Sequence, residues 1–265
     1  MSIRPLLPVR IIALAVLLFY VDSVDGGRAA ETAAADRDAF LAGTTKDCPG
    51  CDLHNAGLKR RDLAGANLIG ADLSGAVLHR AKLQNAKLDH ARLEDANLNK
   101  ADLRRASLAG AELSGALLYG SDLSGARLDG AILKQTRMQH ARLTLASLQG
   151  ADMSEAVLTD ADLAGSDLAR VNLRQTNLNG ANLGRCNLAA AHVERAGFVG
   201  ARLPGAKLAG ISARGADFYR ADLSGADLTD ADLRGSRLEQ ARLDGAVTAG
   251  MQTKGALLVD GTVDR

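Results

Sequence analysis

Residues 66–75 read ANLIGADLSG and residues 221–230 read ADLSGADLTD, so each stretch holds two copies of one five-residue unit. The unit is alanine, a polar residue, leucine and two further residues that are mostly polar. From Leu53 to Leu243 an apolar residue occupies every fifth position, 39 in succession, and 33 of these 39 are leucine. The position two residues earlier is alanine in 29 of the 39 units. A single repeat therefore makes up most of the chain.

The period of five excludes an α-helix. Five helical residues turn through about 500°, so successive leucines would step around the helix and form no apolar stripe. In an extended chain, residues two apart share a face, so the alanine and the leucine of a unit point the same way. The next alanine follows three residues later and would point to the opposite face. The backbone must therefore turn once in each unit, and right-angle turns close a coil after four units.

The residues around each leucine suit such a turn. Asparagine or aspartate often precedes the leucine, as at Asp62, Asn67 and Asp72, and these side chains hydrogen-bond to nearby turn backbone. Glycine, which tolerates a positive φ, recurs at the second position after leucine. Examples are Gly65, Gly70, Gly75, Gly110, Gly115, Gly120, Gly125 and Gly130.

The units at 66–75 and 221–230 resemble the pentapeptide-repeat family, and the resemblance covers about three quarters of the chain. It implies a right-handed quadrilateral β-helix in which leucine and alanine pack inside and the other three positions face water. We therefore expect an all-β fold, a right-handed quadrilateral β-helix of about ten coils with a short N-terminal helical cap. The four corners follow from the residue pattern, whereas the handedness is implied by the resemblance.

Residues 1–23 have the pattern of a secretory signal peptide. Arg4 and Arg10 precede an apolar run from Ile11 to Val21, and small and polar residues follow. Cleavage is expected after Ser23 or Gly26. The run is shorter than the roughly 20 residues of a membrane span, so no stable span is expected in the mature chain. The sequence therefore predicts an exported member of the family, periplasmic or extracellular after cleavage.

The two ends of the repeat are predicted to be caps, because the end coils of a solenoid otherwise expose unpaired strand edges. Residues 24–47 are interpreted as a linker and N-terminal cap, with a helix from Ala33 to Leu41 whose Phe40 and Leu41 cover the first coil. Residues 48–245 form the β-helix. Residues 246–265 are a degenerate last coil serving as the C-terminal cap, since Thr248 and Thr253 occupy leucine sites there.

Departures from the repeat test the packing, because a filled layer must conserve its volume. Phe198 and Phe218 replace leucine and lie four units apart, so they should stack in successive coils. Each follows a smaller residue one corner earlier, Val193 and Ala213 respectively. This compensation is what a packed coil of four units predicts.

The segment Cys48-Pro-Gly-Cys51 is the one motif with possible chemistry. The frame places both thiols toward the core, which in an oxidising compartment favours a structural disulfide that pins the cap. A redox centre is the alternative, although such motifs normally open a helix in a thioredoxin-like context. Zinc would need two further ligands, and His54 alone is not enough. Cys186 occupies an alanine site and is interpreted as a small buried thiol.

Surface charge bears on nucleic-acid mimicry. The best-known members of the family imitate DNA and protect gyrase with a strongly acidic surface, whereas residues 52–245 hold 25 basic and 23 acidic residues. That function is therefore disfavoured, and no nucleic-acid partner is expected. A basic band at 170–214 is a possible interaction surface. It comprises Arg170, Arg174, Arg185, Arg195, Arg202, Lys207 and Arg214.

Residues four units apart in this repeat share a column, which spreads the basic band around the coil. The columns bring opposite charges together as vertical ion ladders, which avoid stacked like charges. Three ladders are predicted: Asp122 with Arg142 and Asp162, Arg202 with Asp222 and Arg242, and Arg174 with Glu194 and Arg214.

No catalytic, cofactor or metal site is predicted. The five histidines fall at different corners and heights, and a filled interior has no cavity for a substrate. The favoured function is a non-enzymatic exported scaffold that binds an unknown protein partner through its walls or ends. Two alternatives stay open: a periplasmic redox or stress-response module using Cys48 and Cys51, and a cell-envelope binder of anionic ligands using the basic band. The sequence leaves the oligomeric state undetermined.

Overall fold

A computed structural model describes residues 34–265. The predicted signal peptide and the first part of the predicted linker lie outside these residues. Helix α1 spans residues 34–42. From Asp52 to Arg237, every fifth residue forms a parallel β-bridge with the residue 20 positions later. A coil therefore has four sides of one unit each, and successive coils stack on one another.

We number the sides by the bridge residue of the first coil: side 1 holds Asp52, side 2 Gly57, side 3 Asp62 and side 4 Asn67. The corner after each side takes the same number. Coils are joined by backbone hydrogen bonds such as Leu53 N–H to Asp72 O, 2.7 Å. The inward residues fill the interior, because every leucine-site side chain from Leu53 to Leu238 is at most 1% exposed.

The corners adopt one backbone conformation. In each unit, the residue two positions after the leucine site has a positive φ, from Gly50 to Gly255. This confirms the prediction for glycines such as Gly65, whose φ is 72°. Twenty-one of these corner residues are not glycine. The preceding aspartates support the turn as predicted: Asp72 Oδ1 accepts a hydrogen bond from Ser74 N–H at 3.0 Å.

The core compensation predicted for the aromatic residues is confirmed. The rings of Phe198 and Phe218 stack with centroids 4.7 Å apart and planes 6° from parallel. Both rings are buried, as are Val193 and Ala213 one corner earlier in each coil. The larger residues are thus accommodated within the same coils as the smaller ones.

At the N-terminal end, Phe40 of α1 is fully buried against the first coil. The prediction for Leu41 was wrong, because its side chain is 37% exposed. Arg61 fills that region instead. Its guanidinium lies 4.7 Å from the Phe40 ring centroid and donates to the carbonyls of Phe40 and Leu41, the latter at 3.1 Å. The last turn of α1 is therefore capped by an arginine of the β-helix.

At the other end, the pairing between successive coils continues as far as Leu257, which bridges Arg237. Val263 then pairs with Leu257 in antiparallel orientation, so the chain folds back on one side of the last coil. Leu243 and Met251 are only partly buried there. Within residues 34–265, no helix has the length and apolar character needed to cross a membrane.

Candidate protein-interaction surface

The outward side chains form the predicted ion ladders only in part. In each predicted column one of the two pairs forms and the other exceeds 4.0 Å. The central residue of each column, Arg142, Asp222 or Glu194, pairs with one of its two neighbours in the column. Arg214, for example, binds Asp232 at 2.5 Å rather than Glu194. The pairs that form are Arg142 with Asp122 at 3.2 Å, Arg242 with Asp222 at 3.7 Å and Arg174 with Glu194 at 3.1 Å. Exposed pairs of this kind contribute about 0–1 kcal/mol each.

All seven residues of the predicted basic band are exposed, but the structure does not bring them into one patch. Arg174 and Arg214 lie at corner 1 and are paired with carboxylates. Three others surround corner 3. Arg202 lies on side 3, Lys207 on side 4, and Arg185 at the corner one coil below. Arg170 and Arg195 occupy corners 4 and 1, away from this group.

Corner 3 carries a shallow groove along the coil axis, in two parts. The lower part has a volume of about 510 Å³ and is lined by Gln84, Asn85, Arg104, Arg105, Ser124, Gly125, Thr144 and Leu145. The upper part, of about 430 Å³, is lined by Ala164, Gly184, Arg185, Pro204 and Gly205. We call these residues together the corner-3 groove. No carboxylate lines either part.

Leu145, in the middle of this groove, is the least expected residue on the surface. Its side chain is 75% exposed, and its φ of 58° lies in the left-handed region. That conformation costs a leucine roughly 1–2 kcal/mol, and an exposed side chain gains little hydrophobic free energy in return. Leu145 is also the one large apolar residue among the corner positions from Gly50 to Gly255. Folding stability does not account for this exposed apolar side chain, which makes Leu145 a candidate contact residue.

Cys48 and Cys51 lie together at the start of the first coil. Their Sγ atoms are in bonding contact and their Cα atoms are 5.4 Å apart, as in a disulfide. Cys48 is fully buried and Cys51 is 2% exposed, so neither sulfur is open to an attacking thiolate. Cys48 N–H donates to Asn67 O at 2.8 Å, which ties this turn to the coil above.

Other reactive side chains show no arrangement for chemistry. Cys186 is buried, donates to Leu163 O at 2.8 Å and touches the Ser166 hydroxyl. Burial raises the pKa of the Cys186 thiol to about 11, which keeps it protonated and unreactive. Within the described residues, no three His, Cys, Asp or Glu side chains are grouped to hold a metal ion.

Two residues of consequence were missed by the sequence reasoning, Arg61 and Leu145. Each carries a signal, because each departs from its site in the repeat. Arg61 stands where the unit has alanine, and Leu145 stands at a corner that elsewhere holds glycine, alanine or a polar residue.

The similarity of this chain to known proteins lies in its five-residue repeat. The family described as "Pentapeptide repeats (8 copies)" matches the chain in overlapping segments from residue 58 to residue 247. No curated protein matches it. HetL, a pentapeptide repeat protein involved in heterocyst differentiation regulation in the cyanobacterium Nostoc sp. strain PCC 7120, is 30% identical. That similarity covers 84% of this chain and 96% of HetL, with a TM-score of 0.58.

Two further solved structures show weaker likeness. A pentapeptide repeat protein of the Arabidopsis thaliana thylakoid lumen is 31% identical over 42% of this chain and 68% of its own, with a TM-score of 0.29. QnrB1, a plasmid-mediated fluoroquinolone resistance protein, is 21% identical over 65% of this chain and 87% of its own, with a TM-score of 0.31. Proteins of the family that matches this chain fold as right-handed quadrilateral β-helices, as the resemblance implied. The chain is a member of the pentapeptide-repeat family.

Proposed function

We propose that this chain is an exported, non-enzymatic scaffold that binds a protein partner through its outer surface, chiefly at the corner-3 groove. Leu145 carries the proposal, because it is the one large apolar residue among the corner positions from Gly50 to Gly255 and its side chain is 75% exposed. Within residues 34–265 the inward side chains are buried against one another, so a ligand would reach the walls, corners and ends of the β-helix. Pentapeptide-repeat proteins are in general structural scaffolds.

Export is supported by the pattern of residues 1–23 and by the cysteine pair. A buried disulfide between Cys48 and Cys51 fits an oxidising compartment, where we propose that it fastens the first coil. Fractionation of the native cells followed by N-terminal sequencing tests this. We expect a chain that begins after Ser23 or Gly26, outside the cytoplasm. An uncleaved chain in the cytoplasm would contradict it.

The interaction is tested by placing a photocrosslinking amino acid at one corner position at a time in cells. Position 145 lies in the corner-3 groove, and Gln175 lies exposed at corner 1, diagonally across the coil, with the same backbone conformation. We expect one protein adduct from position 145 and none from position 175. Adducts at both positions, or at neither, would argue against a partner at this corner.

The other functions have less support. The burial of Cys48 and Cys51 disfavours thiol exchange, so the geometry does not support a role as a redox or stress-response module. The basic band is dispersed, and only Arg185, Arg202 and Lys207 stand near one another. Gyrase protection remains disfavoured because the repeat walls are nearly neutral, and the likeness to QnrB1 concerns the fold alone.

A further inference from the structure

Corner 3 presents three long side chains at a regular spacing. Arg105, Leu145 and Arg185 follow one another at intervals of two coils. Each lies against the corner glycine of the next coil. The Cγ atoms of the arginines are 3.6 and 3.8 Å, and Leu145 Cδ2 is 3.0 Å, from the point a Cβ on that glycine would occupy. At about 4.8 Å per coil, the two arginines stand about 19 Å apart with the leucine halfway between them.

The charge of this corner differs from that of the others. At the second residue of its turn, from Gly65 to Gly245, this corner has no acid, whereas corners 1, 2 and 4 contain Asp95, Asp160 and Asp230 there. At the first residue of the turn its one acid in that range is Asp244, in the uppermost coil. Among residues 34–265, no carboxylate lies within 4.0 Å of the charged groups of Arg105 or Arg185. Both guanidinium groups are therefore available to an anionic partner.

The charges beside the groove are more positive at its upper end than at its lower end. Arg104, beside Arg105, is already held by Asp102 at 2.6 Å. Arg202 and Lys207 flank the upper end and make no ion pair within the described chain. Asp222 and Asp227 bridge these two residues from the coil above and set the upper limit of the positive region.

The residues between the arginines are small. Apart from Leu145, corner 3 holds Ser124, Gly125, Thr144, Ala164, Gly165 and Gly184 there. We infer that the groove binds an extended acidic peptide segment of the partner, parallel to the coil axis, with one carboxylate on Arg105 and another on Arg185. This inference rests on the proposed scaffold function.

The spacing defines the peptide. An extended chain rises about 3.3 Å per residue, so a span of about 19 Å corresponds to about six residues, and residues i and i+6 face the same way. Residues i+2 and i+4 share that face and lie on either side of Leu145, where apolar side chains are required. The recognised pattern is therefore acidic, any, apolar, any, apolar, any, acidic.

A blocked, fluorescein-labelled peptide DSLSLSD tests this by fluorescence anisotropy with the full exported chain at low salt. Its sequence reads the same in both directions, so the polarity of binding does not matter. We expect Arg105→Glu and Arg185→Glu each to weaken binding about fivefold and Leu145→Ser to weaken it similarly. Lys100→Glu and Arg195→Glu are matched controls, because these side chains lean on the glycine of the next coil in the same way, at 3.7 and 3.8 Å, but at corners 2 and 1.

Two control peptides separate pattern from composition. KSLSLSK reverses the charges, and DLSSSLD moves the leucines to the opposite face, so both should bind at least about tenfold more weakly. Equal binding of either peptide, no binding of DSLSLSD, or an affinity unchanged by the corner-3 variants would overturn the inference. The inference would also be overturned if the protein bound phosphatidylglycerol vesicles more tightly than the peptide and Leu145→Ser left vesicle binding unchanged. Arg105 and Arg185 would then be binding sites for a membrane surface.

The outcomes for the two proposals are distinguishable. A protein adduct at position 145 without peptide binding would leave the scaffold function standing and remove the acidic-segment inference. Peptide binding without a cellular adduct at position 145 would support the specificity of the groove for acidic segments and would count against a protein partner at this corner in the cell.

Discussion

At the scale of the residue, a side chain at the second position after the leucine site takes up a left-handed backbone whatever its chemistry. Asn55, Ala190 and Gln240 all do so, although alanine and glutamine do not favour it. The stacked hydrogen bonds of the coils above and below therefore outweigh the local preference. Ala190 N–H donates to Ala209 O of the next coil at 3.0 Å, for example.

This local cost predicts opposite effects for two substitutions in one column of corner 4. Ala190→Gly should raise the free energy of unfolding by about 0.5–1 kcal/mol, because glycine removes the strain. Gly210→Ala, one coil above, should lower it by a similar amount, since φ is 65° and no atom lies within 4 Å of the added Cβ. Urea unfolding measures both. Ala189→Gly is the control and should not stabilise; a destabilising glycine at 190 would contradict the strain argument.

At the scale of the element, α1 is joined to the first coil by the buried Phe40 ring, by Arg37, whose Nε donates to Asp52 O at 2.7 Å, and by Arg61. Arg61 reaches the last carbonyls of α1 and covers the Phe40 ring. Arg61→Ala should therefore release the helix. Arg60→Ala is the control, because the neighbouring Arg60 side chain is exposed and makes no such contact. Hydrogen exchange is expected to rise over residues 34–45 in the first variant only. Unchanged protection there would show that α1 docks without the arginine.

The ion pairs of Asp232 should make the stability of the β-helix depend on pH. Arg234 and Arg214 donate to Asp232 at 2.7 and 2.5 Å, and these hydrogen bonds, against the opposing effect of burial, hold the pKa of Asp232 well below its usual range. A lowered folded pKa stabilises the fold above the unfolded value of about 3.9 and loses that effect as the pH falls. Asp232→Asn should thus be destabilising at pH 7, with a difference from the wild type that shrinks below about pH 4. A constant difference from pH 7 to pH 2 would exclude this role.

At the scale of the whole molecule, most of the fold was predictable because one spacing recurs along the chain. The separation of Ala66 from Leu68, and of Leu68 from Ala71, is enough to require a turn in each unit. The proposed interaction site was less predictable, since a repeat describes its typical unit and not its exceptions. Arg61 and Leu145 follow no rule of the repeat, and their roles depend on neighbours a whole coil away. The signal peptide and export remain predictions.

The central claim is that the five-residue frame alone decides which side chains lie inside. Single cysteines at positions 156–165, two complete units, test it by thiol labelling of the native protein in a Cys186→Ala background, where alanine suits the site. We predict protection at 156, 158, 161 and 163 and rapid labelling at the other six positions. Protection alternating at every second residue, or rapid labelling at 158 and 163, would contradict the four-sided coil.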